Sequence, residues 1–326
     1  MASSKIVGLG MYAPQKRLSN HDLEKLVETS DSWIVERTGI KYRRVAEPGT
    51  PNSDLALIAS QKALADAGVR AEEIDLIVIG TCSPDMVLPS TACFLQKKLG
   101  AANAWAMDVV AACSGFLYGL SVADAHIRVG RAKKALVVGS EVLSPLIDYT
   151  DRSTCILFGD GAGAAVLAEC DDGDGILSCH LQSDGNLWDL IHIPGPGTLN
   201  PLTPDLISRR MIYLRMSGNE TFKHAVTKMG DVALKVLSDA GYGVDDVALL
   251  VPHQANQRII SSVGKRLGIA PDRVFVNLEQ YGNTSAASIP LALAEAKAQG
   301  RFRSGDLVLL VAFGGGLTWG AALARM

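Results

Sequence analysis

The sequence predicts an α/β fold in which two similar halves, their sheets covered on both faces by helices, pack about a pseudo-twofold axis. Three observations predict it. The chain has 326 residues, beyond the size at which a single hydrophobic core usually stops growing. Hydrophobic residues make up 48% of it, and 32 glycines punctuate alternating strand-like and helix-like runs, which is the composition of a soluble α/β protein and not of a fibrous or disordered one. The third observation is an internal repeat. LADAGVRAEEIDLIVIGT (Leu64 to Thr81) aligns without a gap on LSDAGYGVDDVALLVPHQ (Leu237 to Gln254): helix end, turn, acidic connector and buried strand in the same order. LQKKLGA (Leu95 to Ala101) pairs with VGKRLGI (Val263 to Ile269), and each half closes on an apolar run, KKALVVGSE in the first and GDLVLLVAFGGG in the second. The period is far too long for a solenoid, so a duplicated unit is expected, with halves over 1–172 and 173–326.

In the first half, DVVAACSGFLYGL (Asp108 to Leu120) reads as a buried strand over Val109 to Ala112 followed by a helix from Ser114 to Arg128, with Gly130 as its cap. Cys113 then stands at a helix N-terminus. There the macrodipole, worth about half a positive charge, and unpaired N–H groups favour a thiolate, so an unusually acidic thiol is expected. A lone cysteine is more often a small hydrophobe filling a core gap, and other residues must decide. GDGAGA (Gly159 to Ala164) satisfies a GxGxxG search, but that motif needs a strand before and a helix after it, whereas GAAVLAEC is β-like. These glycines read as a tight turn.

In the second half, His253 follows the strand LLVP, at the carboxyl end where α/β sheets place ligand crevices. Asn283, in YGNTSAASIPLAL, opens a helix as Cys113 does, which makes the two pseudo-symmetry mates and predicts a Cys–His–Asn cluster with His253 on an adjoining loop. ANQRIISSVGKRLG (Ala255 to Gly268) reads as a helix with Ile259, Ile260, Val263 and Leu267 on one face and Arg258, Lys265 and Arg266 on another. AFGGGLTWG (Ala312 to Gly320) reads as a strand that turns sharply and leaves an N–H free.

Formal net charge is −3, so no global basic field exists to hold nucleic acid. There is no long apolar span and no signal-peptide pattern in MASSKIVGLGMY, which predicts a cytoplasmic chain without membrane contact. Six cysteines without a CxxC pair argue for reduced thiols and against a zinc site.

Seven ordered motifs resemble the β-ketoacyl-acyl-carrier-protein synthase III family of thiolase-like condensing enzymes, over essentially the whole chain: TSDSWIVERTGI, AACSGF, FGDGAGAAVL, MSGNETFKHAV, VPHQANQRII, YGNTSAAS and AFGGGLTWG. The resemblance implies a five-layered α-β-α-β-α body, usually a homodimer. It implies transfer of an acyl group from coenzyme A to Cys113, then decarboxylative condensation with malonyl-acyl carrier protein to begin fatty acid synthesis, without metal, nicotinamide or flavin. By the same resemblance, the oxyanion hole falls to the N–H groups of Cys113 and Gly315, and His253 and Asn283 donate to the enolate oxygen. Trp33 and Arg152 match positions flanking the adenine of coenzyme A, and Arg37 a phosphate contact. Asn219 and Asn256 match positions near the pantetheine arm, and Phe158 and Leu143 match acyl-pocket walls. Lys223 joins Arg258, Lys265 and Arg266 in a patch for the acidic carrier protein. Where the family often presents an aromatic that reaches the partner's acyl pocket, this chain has Leu88, and the segment Ile193 to Arg210 is long, which leaves the pocket rim open. A related condensing enzyme of secondary metabolism and a noncatalytic scaffold are the alternatives.

Overall fold

The computed structural model describes residues 3–170 and 174–326, so the expected boundary between the halves lies outside the described residues. The first sheet is built from β1 (Ser3–Tyr12), β2 (Leu76–Gly80), β3 (Trp105–Val109), β4 (Lys134–Glu141) and β5 (Gly161–Cys170), in the order β1-β5-β4-β2-β3. The second contains β6 (Gly175–Ser183), β7 (Val247–Pro252), β8 (Leu307–Gly314) and β9 (Thr318–Arg325), in the order β7-β8-β9-β6. Strand senses agree: β2 and β4 are parallel, as are β7 and β8, and both sheets then continue antiparallel through two further strands. Among the described residues the second sheet has no full counterpart of β3. Val274 makes only an isolated parallel bridge to Leu250 there.

Helices of eight or more residues are α1 (Asp31–Thr38), α2 (Asn52–Ala67), α3 (Thr91–Leu99), α4 (Gly115–Arg128), α5 (Gly218–Ala240), α6 (Gln257–Leu267) and α7 (Ser288–Ala298). Strand alternation sorts them into five layers. Leu76 and Val78 of β2 point inward with Val308 and Leu310 of β8 toward a central layer of α4 and α7. Ile77 and Ile79 point outward to α2 and α3, and Leu309 and Val311 point outward to α5 and α6. Both faces of each sheet are thus buried, which is why the strands read as continuous apolar runs. Each such side chain contributes roughly 1.5–3 kcal/mol on burial. α7 is buried on nearly every side, as a central helix must be, whereas α6 is strongly amphipathic and lies at the surface.

Two local expectations are corrected. Only Val109 of the run Val109 to Ala112 is in a strand. Val110 is 79% exposed and Ala112 has φ +43°, a left-handed conformation that cannot continue a strand. Two of the three glycines of GDGAGA do not make a tight turn either, because Gly161 and Gly163 lie within β5. They are small because α7 packs directly on that strand: a Cβ on Gly163 would come 2.4 Å from the Leu291 backbone nitrogen.

Candidate active site

Cys113 occupies a 3-10 turn, Ala112–Ser114, that leads straight into α4, and the left-handed Ala112 turns the chain so that the thiol meets a cavity. A matching turn, Ser285–Ala287, leads into α7 in the second half, and Ser285 has φ +47°. Ala112 and Ser285 stand the same distance apart as Leu64 and Leu237, so the two turns are equivalent points of the duplication. The mate of Cys113 is therefore Ala286 and not Asn283, which precedes it by three residues. Strain of this kind in non-glycine residues costs on the order of 1–3 kcal/mol and persists where surrounding structure holds it. Here the first sheet does so, since a Cβ on Gly139 of β4 would lie 2.1 Å from the Ala286 carbonyl oxygen.

Asn283 is held by backbone. It bridges Phe158 in parallel fashion, its N–H donates to the Leu157 carbonyl at 2.8 Å, and its own carbonyl accepts from the Gly159 N–H at 3.0 Å. Its side-chain Oδ1 accepts from the Ser285 N–H at 2.9 Å, which leaves Nδ2 to face the cavity. His253 follows β7 and is only 3% exposed. Its N–H donates to the Val311 carbonyl at 2.8 Å, and its Nδ1 lies 2.5 Å from the Ser288 hydroxyl.

The β8–β9 hairpin closes the nucleophile turn from the other side. A Cβ on Gly314 would stand 2.7 Å from the Cys113 nitrogen, so only a glycine lets the hairpin approach this closely. Gly315 is the next residue. The Thr318 hydroxyl ties the two turns together, 2.8 Å from the Ala111 carbonyl and 3.1 Å from that of Gly315, while Ser114 donates to the Thr318 carbonyl at 3.1 Å.

Electrostatics run against one expectation. Burial pushes the Cys113 thiol up to about 12, with the neighbouring Ser285 hydroxyl opposing the shift in part and the Glu141 carboxylate adding to it. Burial lowers His253 to about 3. The resting pair is thus a neutral thiol and a neutral imidazole, with desolvation the largest influence on each. Glu141, at the end of β4, is buried and accepts from Thr81, the Ser83 hydroxyl and the Cys82 N–H and thiol, and burial raises its own pKa.

A cavity of about 690 Å³ joins these groups. Cys113, His253 and Asn283 line it together with Arg37, Leu143, Phe158, Asn219, Asn256, Lys223 and Arg258. Trp33 and Arg152 stand outside that lining, where the Arg152 guanidinium lies 4.9 Å over the indole and that of Arg37 5.7 Å from it. Asn256 caps α6, accepting from the Arg258 N–H at 2.8 Å, and reaches the Arg37 carbonyl at 3.0 Å. The basic stripe divides. Lys223 and Arg258 are at the cavity, whereas Lys265 borders a separate groove and Arg266 pairs with Asp231 at 2.6 Å. Leu88 does not line the cavity, being 82% exposed on the loop Met86–Leu88. Sequence reasoning missed Ser288, Thr318, Cys82 and Glu141. Ser288 had a signal, a hydroxyl at the start of a helix, but such residues ordinarily read as caps.

Residues 107–185 match the family model for 3-oxoacyl-[acyl-carrier-protein] synthase III, and residues 237–326 match the model for the C-terminal part of that family. Among curated proteins, the β-ketoacyl-[acyl-carrier-protein] synthase III of Desulfitobacterium hafniense (strain Y51) is 51% identical, covering 100% of this chain and 98% of its own. That of Roseiflexus castenholzii is 52% identical over 98% and 97%. The crystal structure of 3-oxoacyl-[acyl-carrier-protein] synthase III from Aquifex aeolicus VF5 superposes with a TM-score of 0.93 at 47% identity, covering 99% of this chain and all of that one. The priming β-ketosynthase of the R1128 polyketide pathway gives 0.92 at 35% identity, over 99% of this chain and 96% of that one. With its thiolase-like architecture and this similarity over its full length, the chain belongs to the β-ketoacyl-[acyl-carrier-protein] synthase III family.

Proposed function

We propose that the chain condenses an acyl-CoA primer with malonyl-acyl carrier protein to give a 3-oxoacyl-acyl carrier protein, with Cys113 as nucleophile and His253 and Asn283 as its partners. The observation that carries this reading is the convergence of the three on one cavity from turns and strand ends far apart in sequence. Cys113 takes the acyl group from coenzyme A, with the N–H groups of Cys113 and Gly315 receiving the oxyanion. Malonyl-acyl carrier protein then loses carbon dioxide, and the charge that builds on its thioester oxygen is met by Asn283 Nδ2 and His253 Nε2, donors that a carboxylate could not replace. The steps balance without an oxidant or a reductant, and the chemistry proposed here calls on no metal or redox cofactor.

Arg37 and the stacked Trp33 and Arg152 suit the phosphates and adenine of coenzyme A, Asn219 and Asn256 its pantetheine arm, and Phe158 and Leu143 the acyl chain. Lys223 and Arg258 suit an acidic carrier protein at the cavity mouth. A homodimer is supported by the exposed edge strand β3, by Val110 at its end and by the apolar Met86–Leu88 loop nearby in sequence, all of which invite cover. Among the described residues no helix is long and apolar enough to cross a membrane, and Cys82, Cys93, Cys113, Cys155 and Cys179 are reduced thiols, which suits a reducing cytoplasm. The decisive experiment is mass spectrometry after incubation with acetyl-CoA. The acyl group is expected on Cys113, and label on Cys82, Cys93, Cys155, Cys170 or Cys179 instead would overturn the assignment. Graded acyl-CoAs in competition then distinguish a fatty acid primer from the donors of a polyketide-priming enzyme.

A further inference from the structure

The two equivalent turns each enter their helix through a left-handed residue, Ala112 with φ +43° in the first half and Ser285 with φ +47° in the second. Alanine makes the first turn, so the geometry itself calls for no hydroxyl. Nor does the second turn use one. The Ser285 N–H donates to Asn283 Oδ1 at 2.9 Å and its carbonyl accepts from the Ser288 N–H, tasks of the backbone alone. Ser285 is 2% exposed and lines the cavity with Cys113, and among the described residues nothing meets its hydroxyl oxygen at hydrogen-bonding geometry. Even so, that hydroxyl stands near enough to the Cys113 and Cys82 thiols and the Glu141 carboxylate to oppose the rise in pKa of each. A left-handed backbone and an unspent buried hydroxyl both cost stability, and such costs gather where a mechanism uses them. Of its three neighbours, Glu141 already accepts from the Thr81 and Ser83 hydroxyls and the Cys82 N–H, and Cys82 gives its thiol proton to Glu141. Cys113 is the one whose charge changes in the proposed reaction.

We infer that the Ser285 hydroxyl is a catalytic donor to the Cys113 sulfur: it is idle beside the neutral thiol and bonds the thiolate each time one forms. The inference rests on the role proposed for Cys113 above. A neutral thiol is a weak acceptor, whereas a hydroxyl donating to a thiolate makes a charge-assisted bond. The bond is thus stronger during reaction than at rest, which is the condition for it to raise rate and not merely affinity. The sulfur is anionic twice. In acyl transfer it bonds the acyl carbon, and coenzyme A leaves with the electron pair of the broken C–S bond and takes the proton that Cys113 gave up. In condensation carbon dioxide departs, the pair of the malonyl C–C bond forms the new bond to the acyl carbon, and Cys113 leaves with the pair of its own thioester bond. That thiolate takes a proton from solvent, which balances the charge of the malonyl carboxylate. Ser285 keeps its own proton throughout.

The test compares the full-length wild type with Ser285→Ala and Ser285→Gly. Ala112 shows that alanine holds this conformation, and glycine, which adopts it freely, keeps the test decisive if Ser285→Ala does not fold. Loss of a hydrogen bond to a charged group lowers the thiolate fraction about 10- to 100-fold, and the greater nucleophilicity of a more basic thiolate returns part of that. Alkylation of Cys113 by iodoacetamide at neutral pH, followed by mass spectrometry, is therefore expected to slow about 4- to 15-fold in both variants. Loading by saturating acetyl-CoA is expected to slow by the same factor, with the half-saturating concentration unchanged. Unchanged alkylation in a folded variant overturns the inference. A raised half-saturating concentration also overturns it, because the hydroxyl then shapes the cavity and does not serve the sulfur. Failure of the underlying active-site reading is seen separately, as an acetyl group on a cysteine other than Cys113 in the wild type.

Discussion

Replacing Asn283 by Asp tests the role of charge at the site with almost no change of shape. Oδ1 keeps its bond from the Ser285 N–H at 2.9 Å, so the new oxygen must stand where Nδ2 faces the cavity. Two penalties follow. A donor aimed at the enolate oxygen is lost, worth about 2.7–4 kcal/mol. A carboxylate about 4 Å from that oxygen then repels it by about 4 kcal/mol at an effective dielectric near 20. Together, about 7 kcal/mol corresponds to about a 10⁵-fold loss in the release of carbon dioxide from malonyl-acyl carrier protein. Acyl loading, followed by mass spectrometry of Cys113, should fall far less, since its oxyanion is assigned to backbone N–H groups. Asn283 is buried, so the introduced carboxyl has a raised pKa, and as pH falls through that value its O–H becomes a donor. Decarboxylation should therefore recover toward acid in Asn283→Asp but not in Asn283→Ala. Decarboxylation near the wild-type rate at neutral pH would refute the reasoning and leave Asn283 as a turn residue.

Because burial holds the Cys113 thiol near 12, its alkylation by iodoacetamide in the resting enzyme should rise about tenfold per pH unit from 7 to 9; a plateau at neutral pH would reveal a preformed thiolate. Arg258→Glu at the cavity mouth should raise the KM for malonyl-acyl carrier protein at least about tenfold at low salt and less at high salt, while Arg266→Glu, paired with Asp231 away from the cavity, should change it little. Equal effects of the two would show that the whole stripe is engaged. Gly139→Ala should cost about 3 kcal/mol or more in a denaturant titration, because its Cβ meets a backbone oxygen that no rotamer can move; an unchanged midpoint would mean that the Ser285–Ala287 turn yields freely. Val110→Lys should shift sedimentation toward monomer if β3 is the dimer edge, and an unaltered profile would place the interface elsewhere.

Duplication and layering were legible because they leave marks on composition. The shared DAG turn announces the repeat, and strands such as Leu76–Gly80, buried on both faces, are apolar throughout. His253 could be read from its place after a strand end, since that position is set by topology. What escaped depends on neighbours distant in sequence. The left-handed turns at Ala112 and Ser285 carry no glycine to announce them, so Cys113 was paired with Asn283 instead of Ala286. The glycines of GDGAGA looked like a turn because a sequence cannot distinguish a glycine needed for backbone freedom from one needed so that α7 can approach. The Cys113 thiol shows the same division: the helix terminus is local and visible in sequence, whereas the desolvation that pushes its pKa up arises from residues packed around it. The basic stripe is one face of α6, but only tertiary packing decides which end meets the cavity.

The paired turns bear on why only Cys113, of the two equivalent positions, lines the cavity. Ala286, the counterpart of Cys113, is 1% exposed and packs against Gly115 and the Gly139 strand. A thiol placed there by mutation would be walled in, away from the cavity that Cys113 lines. Its turn serves as a buttress instead, presenting Asn283 just ahead of the blind position and Ser288 just behind it. The copies thus contribute differently to one cavity: the first brings Cys113 to it, and the second brings His253 and Asn283.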